Sequence, residues 1–129
     1  MHQTYRGSCH CGRVTFEINA EIKYVIDCNC SICRRKGALW HGASDSSLRI
    51  LSGESDLTLY QFNTMTAKHY FCKNCGAHPF TRPRLDPSQW VVNVRCLDEV
   101  DLGSLKVHLF DGEHWEEAAN AFYSQQRKQ

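Results

Sequence analysis

The sequence has no apolar stretch of ~18 residues, the length a helix needs to cross a bilayer, so no transmembrane helix is expected. No apolar run follows Met1–Arg6, so no signal peptide is expected either. An excess of one charge is also missing. The formal net charge is +1 over 129 residues, which leaves no strong field to attract nucleic acid or an anionic membrane surface. Internal repeats, low-complexity tracts and linkers are absent, and helical periodicity is scarce. What remains is ordinary globular composition, 42% hydrophobic and 22% charged. The length suits a single domain, residues 1–129, with one modest core over about residues 6–110.

Against this background, eight cysteines stand out. They fit either a disulfide framework in a secreted chain or metal ligation in a reducing compartment. Without a leader the chain is expected to be cytoplasmic, its thiols reduced and clustered for metal. Strand signals dominate the rest. Arg13–Ile18, Ile22–Cys28, Leu57–Phe62, Lys68–Cys72, Trp90–Val94 and Lys106–Phe110 are β-branched, aromatic or alternating. Glycines and a Pro83/Pro87 loop punctuate them. Ser31–Lys36 has the form of one helical turn. Glu113–Phe122 allows one short C-terminal helix, with Trp115, Ala118, Ala119 and Phe122 on one face. On this helix Glu113, Glu116 and Glu117 read as a solvated face, and Ser124–Gln129 as a frayed end. The expected class is all-β, with short antiparallel sheets.

The cysteines form three clusters and one outlier. Cys72-x-x-Cys75-Gly76 is a zinc knuckle, in which the glycine supplies the positive φ that closes the turn. A structural zinc needs two more ligands, and Cys9-x-Cys11-Gly12 is the obvious donor. Sulfurs two apart on a flat strand lie ~6–7 Å from each other. A tetrahedral site wants them near ~3.8 Å, so the segment must bend at Gly12. The result would be a closed four-cysteine site; the alternative is two reduced, metal-free pairs. Cys28-x-Cys30-x-x-Cys33 offers three thiolates, the ligand number of a zinc site with an open position. The competing reading is a second structural site closed by Cys96 or a histidine. Arg34, Arg35 and Lys36 follow at once, and their field would favour thiolate. Cys96 follows an apolar strand and serves equally well as a small core residue.

Three stretches together, Gly7–Val14, Cys28–Gly37 and Tyr70–Gly76, resemble the glutathione-dependent formaldehyde-activating family, which includes the centromere protein V type zinc domains. Val92–Asp98 is similar to the family's later strand and Leu-Asp signature. The resemblance implies a β-tent stapled by two zinc ions. It implies structural ligation by Cys9, Cys11, Cys72 and Cys75, and a catalytic zinc on Cys28, Cys30 and Cys33. It implies carbon–sulfur lyase chemistry resembling S-(hydroxymethyl)glutathione synthase, with glutathione or another small thiol and a small aldehyde as partners.

Zinc chemistry agrees: a thiol at the open position would be deprotonated near neutral pH and could add to an aldehyde. An anionic thiol needs cations, and Arg34, Arg35, Lys36 and Arg95 are candidates, with Arg82 and Arg84 beside them. His41, His69 and His78 are candidate proton carriers or fourth ligands. Trp40 and Trp90 suit either a pocket wall or the core. Two other classes compete. One is a non-catalytic zinc-binding interaction module; the other is a thiol-redox protein with exposed, metal-free CxxC pairs.

Overall fold

The computed structural model describes residues 2–127. Ten strands form two sheets, with a single helical turn after the third strand and a longer helix at the C-terminal end. The small sheet has the order β1 (Gln3–Ser8), β2 (Thr15–Ala20), β5 (Leu48–Ser52). The large sheet contains β3 (Tyr24–Cys28), β4 (Trp40–Ala43), β6 (Leu57–Tyr60) and β7 (Lys68–Cys72). It also holds β8 (Phe80–Arg82), β9 (Trp90–Asn93) and β10 (Lys106–Phe110). Its spatial order is β10-β3-β4-β9-β8-β7-β6.

The alternation read in the sequence sets the inward face. On β2, Phe16, Ile18 and Ala20 are buried while their neighbours are not. Phe16 meets Phe80 of β8 edge to face, with centroids 5.4 Å apart, and this contact joins the two sheets. Val25, Val92 and Val94 complete the same cluster. Each such side chain contributes roughly 1.5–3 kcal/mol by leaving water.

One pairing departs from the expected antiparallel pattern. β10 runs parallel to β3, from Lys106 against Tyr24 to Phe110 against Cys28. A strand arriving from the far end of the chain has no hairpin to fix its direction. The register carries Phe110–Gly112 to the cysteine loop that follows β3. Asn29 fastens this junction. Its N–H donates to the Phe110 carbonyl at 3.2 Å, and its side-chain amide donates to Asp111 at 3.0 Å. Its amide oxygen accepts from the Glu113 N–H at 2.9 Å.

Helix α1 (Ser31–Lys36) forms where the sequence placed it. Cys30 is its N-cap, accepting from the Cys33 N–H, and Gly37 ends it in the left-handed region. Helix α2 spans Trp115–Arg127, after a 3₁₀ turn over Gly112–His114. It buries Ala119 and exposes Glu116 and Glu117. The frayed end expected over Ser124–Gln129 is therefore helical through Arg127; the last two residues lie outside the described ones. No helix among the described residues is long and apolar enough to cross a membrane.

Candidate metal centres

The four sulfurs of Cys9, Cys11, Cys72 and Cys75 lie within 4.8 Å of one another. Two similar turns present them. In one, the Cys9 N–H donates to the Val14 carbonyl at 3.0 Å; in the other, the Cys72 N–H donates to that of Ala77 at 2.9 Å. Gly12 and Gly76 take φ values of 84° and 79°, which close these turns. The bend required after β1 brings the Cys9 and Cys11 sulfurs to 3.5 Å, and those of Cys11 and Cys72 to 3.7 Å. Both distances match the ~3.8 Å edge of a tetrahedral zinc–thiolate site, so the donor set fits that ion. Cys9 and Cys72 are fully buried and pack on Val14. Burial pushes the Cys9 thiol up to about 11. The Ala77 N–H draws Cys75 down to about 6. The Asn74 side chain lowers Cys11.

Cys28, Cys30 and Cys33 form the second group, again with sulfurs within 4.8 Å. Here none is buried. No fourth Cys, His, Asp or Glu ligand atom joins them among the described residues. The thiols hydrogen-bond among themselves. Donation from Cys28 and Cys33 holds Cys30 down at about 2. Cys28 is raised to about 11, chiefly by its bond to Cys30. Cys33 is raised well above the ordinary thiol range by Cys28 and then by Cys30. N–H donors supplement these bonds: Cys33 N–H to the Cys30 sulfur at 3.4 Å, and the Trp40 indole to the Cys33 sulfur at 3.3 Å. This donor set fits a thiophilic ion held by three ligands.

Gly112 backs this group. A Cβ there would stand 2.5 Å from the Cys28 sulfur and 2.7 Å from the Cys30 Cβ. Sequence reasoning read this glycine only as turn punctuation. The signal for its role is the parallel pairing, which local sequence does not carry.

The three thiols open onto a cavity of about 460 Å³. His69 and Thr81 also line it. The Thr81 hydroxyl lies 2.6 Å from His78 Nε2 and 3.4 Å from His69 Nδ1, forming a buried chain of polar groups. Burial lowers both histidines, His78 to about 3. Among the described residues, His78 Nδ1 finds no hydrogen-bond partner. His41 lies away from the cavity, its ring against Tyr24 at 4.8 Å.

The sequence-named cations divide. Arg35 and Lys36 line a second, more open hollow of about 660 Å³ on the outer side of α1. Arg34 and Arg95 line neither space. Arg82 stacks on Trp90 at 3.6 Å and pairs with Asp45 at 2.6 Å. Arg84 stacks on Trp115 at 3.7 Å and pairs with Glu116 at 3.0 Å. Cys96 belongs to neither sulfur group. It packs against the main core, 3.9 Å from the His78 carbonyl, where burial raises its thiol to about 11.

Fold and site define a small β-rich protein with a four-cysteine cluster that joins two distant turns and a three-cysteine cluster that opens on a cavity. Residues 4–122 match the model of the glutathione-dependent formaldehyde-activating enzymes, and the chain belongs to that family. A Halomonas elongata protein, provisionally named as such an enzyme, is 30% identical over 80 residues. That match covers 55% of this chain and 51% of the relative, so the chain spans about half of that protein's length. A crystal structure of a Rhodobacter sphaeroides protein is 41% identical with a TM-score of 0.71, covering 80% of this chain and 99% of that one.

Proposed function

We propose that this chain acts as a single zinc-dependent domain, making and breaking carbon–sulfur bonds in adducts of a small thiol and an aldehyde. The reaction resembles that of S-(hydroxymethyl)glutathione synthase and falls in the carbon–sulfur lyase class. The observation that carries this reading is the opening of Cys28, Cys30 and Cys33 onto a cavity that His69 and Thr81 also line. Family membership supports glutathione as the thiol.

In this reading Cys9, Cys11, Cys72 and Cys75 hold a structural zinc, and Cys28, Cys30 and Cys33 hold a second. A zinc ion on three thiolates supplies Lewis acidity that lets a substrate thiol ionise near neutral pH. The chain's own groups do the rest. The N–H donors of Trp40 and Cys33 stabilise ligand sulfurs as anions. The apolar walls exclude water from the adduct. His69 is kept neutral by burial, with Nδ1 engaged by Thr81, so Nε2 is the atom to carry the proton between sulfur and the aldehyde oxygen. Arg35 and Lys36 beside the opening suit an anionic thiol. Reduced thiols fit a reducing, cytoplasmic setting.

The test is exchange of formaldehyde with S-(hydroxymethyl)glutathione, followed by NMR with zinc-loaded protein. Acceleration is expected in the wild type and should vanish in Cys30→Ala. Two bound zincs without acceleration for any aldehyde would leave a metal-stapled interaction module instead.

A further inference from the structure

We propose that the cavity beside Cys28, Cys30 and Cys33 selects an adduct whose aldehyde-derived half is apolar and about the size of an aromatic ring, in preference to the one-carbon adduct. This rests on the thiol–aldehyde reading of that site.

Size is the first argument. The cavity measures about 460 Å³. A water molecule claims about 30 Å³ of liquid, and formaldehyde brings only two heavy atoms. A one-carbon group would leave most of the wall without contact partners. The wall itself is the second argument. Ile26, Trp40, Phe62, Val91, Phe110 and Trp115 supply apolar surface, from six separate elements and loops of the chain. Such a lining gains from an apolar guest, and His69 and Thr81 serve the reacting end of the adduct.

Charge is the third argument. Among the described residues, the Arg, Lys, Asp or Glu residues on the wall are Arg84 and Glu113, and Arg84 is already engaged by Trp115 and Glu116. A glutathione body carries two carboxylates and an ammonium. Sealing these against apolar walls leaves them unpaired, which is strongly unfavourable. Cations lie outside instead. The hollow lined by Arg35 and Lys36 shares Ser31, Ile32 and Phe62 with the cavity. The charged body of the thiol therefore belongs over α1, with the carbon half of the adduct in the cavity. The chemistry needs no oxidant. In the cleaving direction the C–S bond breaks, the hydroxyl oxygen becomes the carbonyl, and the hydroxyl proton passes to sulfur.

The test titrates the full zinc-loaded chain with S-benzylglutathione and S-methylglutathione, thioethers that cannot release an aldehyde. Calorimetry reads affinity, and tryptophan fluorescence reads Trp40 and Trp115 at the wall. The benzyl compound should bind at least about tenfold tighter, from burial of the ring alone. Ala67→Trp and Thr64→Trp, which fill the cavity from one loop, should each erase that preference, with zinc content and melting temperature reporting an intact fold. Equal binding of the two thioethers, or binding of neither, overturns the proposal. Catalysis is scored separately by exchange. Acceleration with formaldehyde but no benzyl preference keeps the thiol–aldehyde reading and discards the selectivity. Benzyl preference without acceleration for formaldehyde or benzaldehyde does the reverse.

Discussion

The two sulfur clusters use the same element, yet their surroundings separate them. The four-cysteine group sits on two turns closed by positive-φ glycines, with Cys9 and Cys72 at 2% and 0% exposure, Cys75 half-buried and Cys11 exposed. Its partners are sixty residues apart in sequence, so any ion there fastens one end of the small sheet to β7. The three-cysteine group comes from one hexapeptide at the start of α1 and is only half-buried. It ties together little chain, and it borders a cavity. Ligands far apart in sequence contribute to folding because an ion on them closes a long loop; ligands close in sequence and open to a hollow are disposed toward chemistry.

The largest effect that would break or sharpen this contrast is on stability. Cys72→Ala should remove the ion of the four-cysteine site and most of the roughly 10 kcal/mol that a structural zinc lends a small domain. No cooperative melting is expected at 25 °C. Cys30→Ala should lose one zinc per chain, by metal analysis, and melt within a few degrees of the wild type. Similar melting of the two variants would erase the distinction drawn between the sites.

Next in size is the backing of the open cluster. Gly112→Ala forces a methyl against Cys28 and Cys30 and should weaken the second zinc by about 10–100-fold in a chelator competition. Gly42→Ala, which meets nothing within 4 Å, should not. Equal behaviour would mean the cluster tolerates movement.

His78 follows the Cys72–Cys75 turn and packs its ring against Trp40, so it sharpens the comparison by pH. Burial lowers its pKa to about 3 from the ordinary 6.5. The unfolded chain therefore binds the proton more readily, and stability falls as pH drops below about 6.5, continuing toward about 3. Between pH 6.5 and 5.5 the loss is about 1 kcal/mol. Denaturant unfolding of zinc-saturated His78→Gln should lack this increment. An unchanged slope would assign the acid sensitivity to other groups, the cysteines and the buried His41 and His69 among them.

The smallest expected effect is at Trp40. Trp40→Phe removes the indole donor to the Cys33 sulfur and should cost about 1 kcal/mol of second-site zinc affinity. The four-cysteine site should be unaffected. A loss at both sites by metal titration would mean that Trp40 acts through the core.

Much of this was legible in sequence because local signals agreed. Alternation marked β2, β6 and β7. The Cys-x-x-Cys-Gly turn announced its own backbone, and the i, i+3, i+4 apolar pattern found α2. Most strands that escaped notice lack such a signal; β5 is the exception, because Leu48 and Ile50 alternate with Arg49. Trp40 and His41 on β4 are both buried because the strand lies between β3 and β9, so period-two alternation is absent. β8 is three residues long. β1 is mostly polar and exposed. The cavity was illegible for a different reason. Its walls come from the loop before β7, from β9, from the turn after β10 and from α2, which only tertiary structure assembles.

The parallel docking of β10 on β3 also imposes a schedule on a chain emerging from the ribosome. Any ion held by the four-cysteine group can be clasped only once Cys75 has left the exit tunnel. The other cluster has its three sulfurs much sooner, by Cys33, yet it stays unwalled until Phe110 and Gly112 have also emerged. Nascent protein would thus pass through a stage in which its scaffold is already pinned while its reactive thiols lie bare to any metal, oxidant or aldehyde nearby.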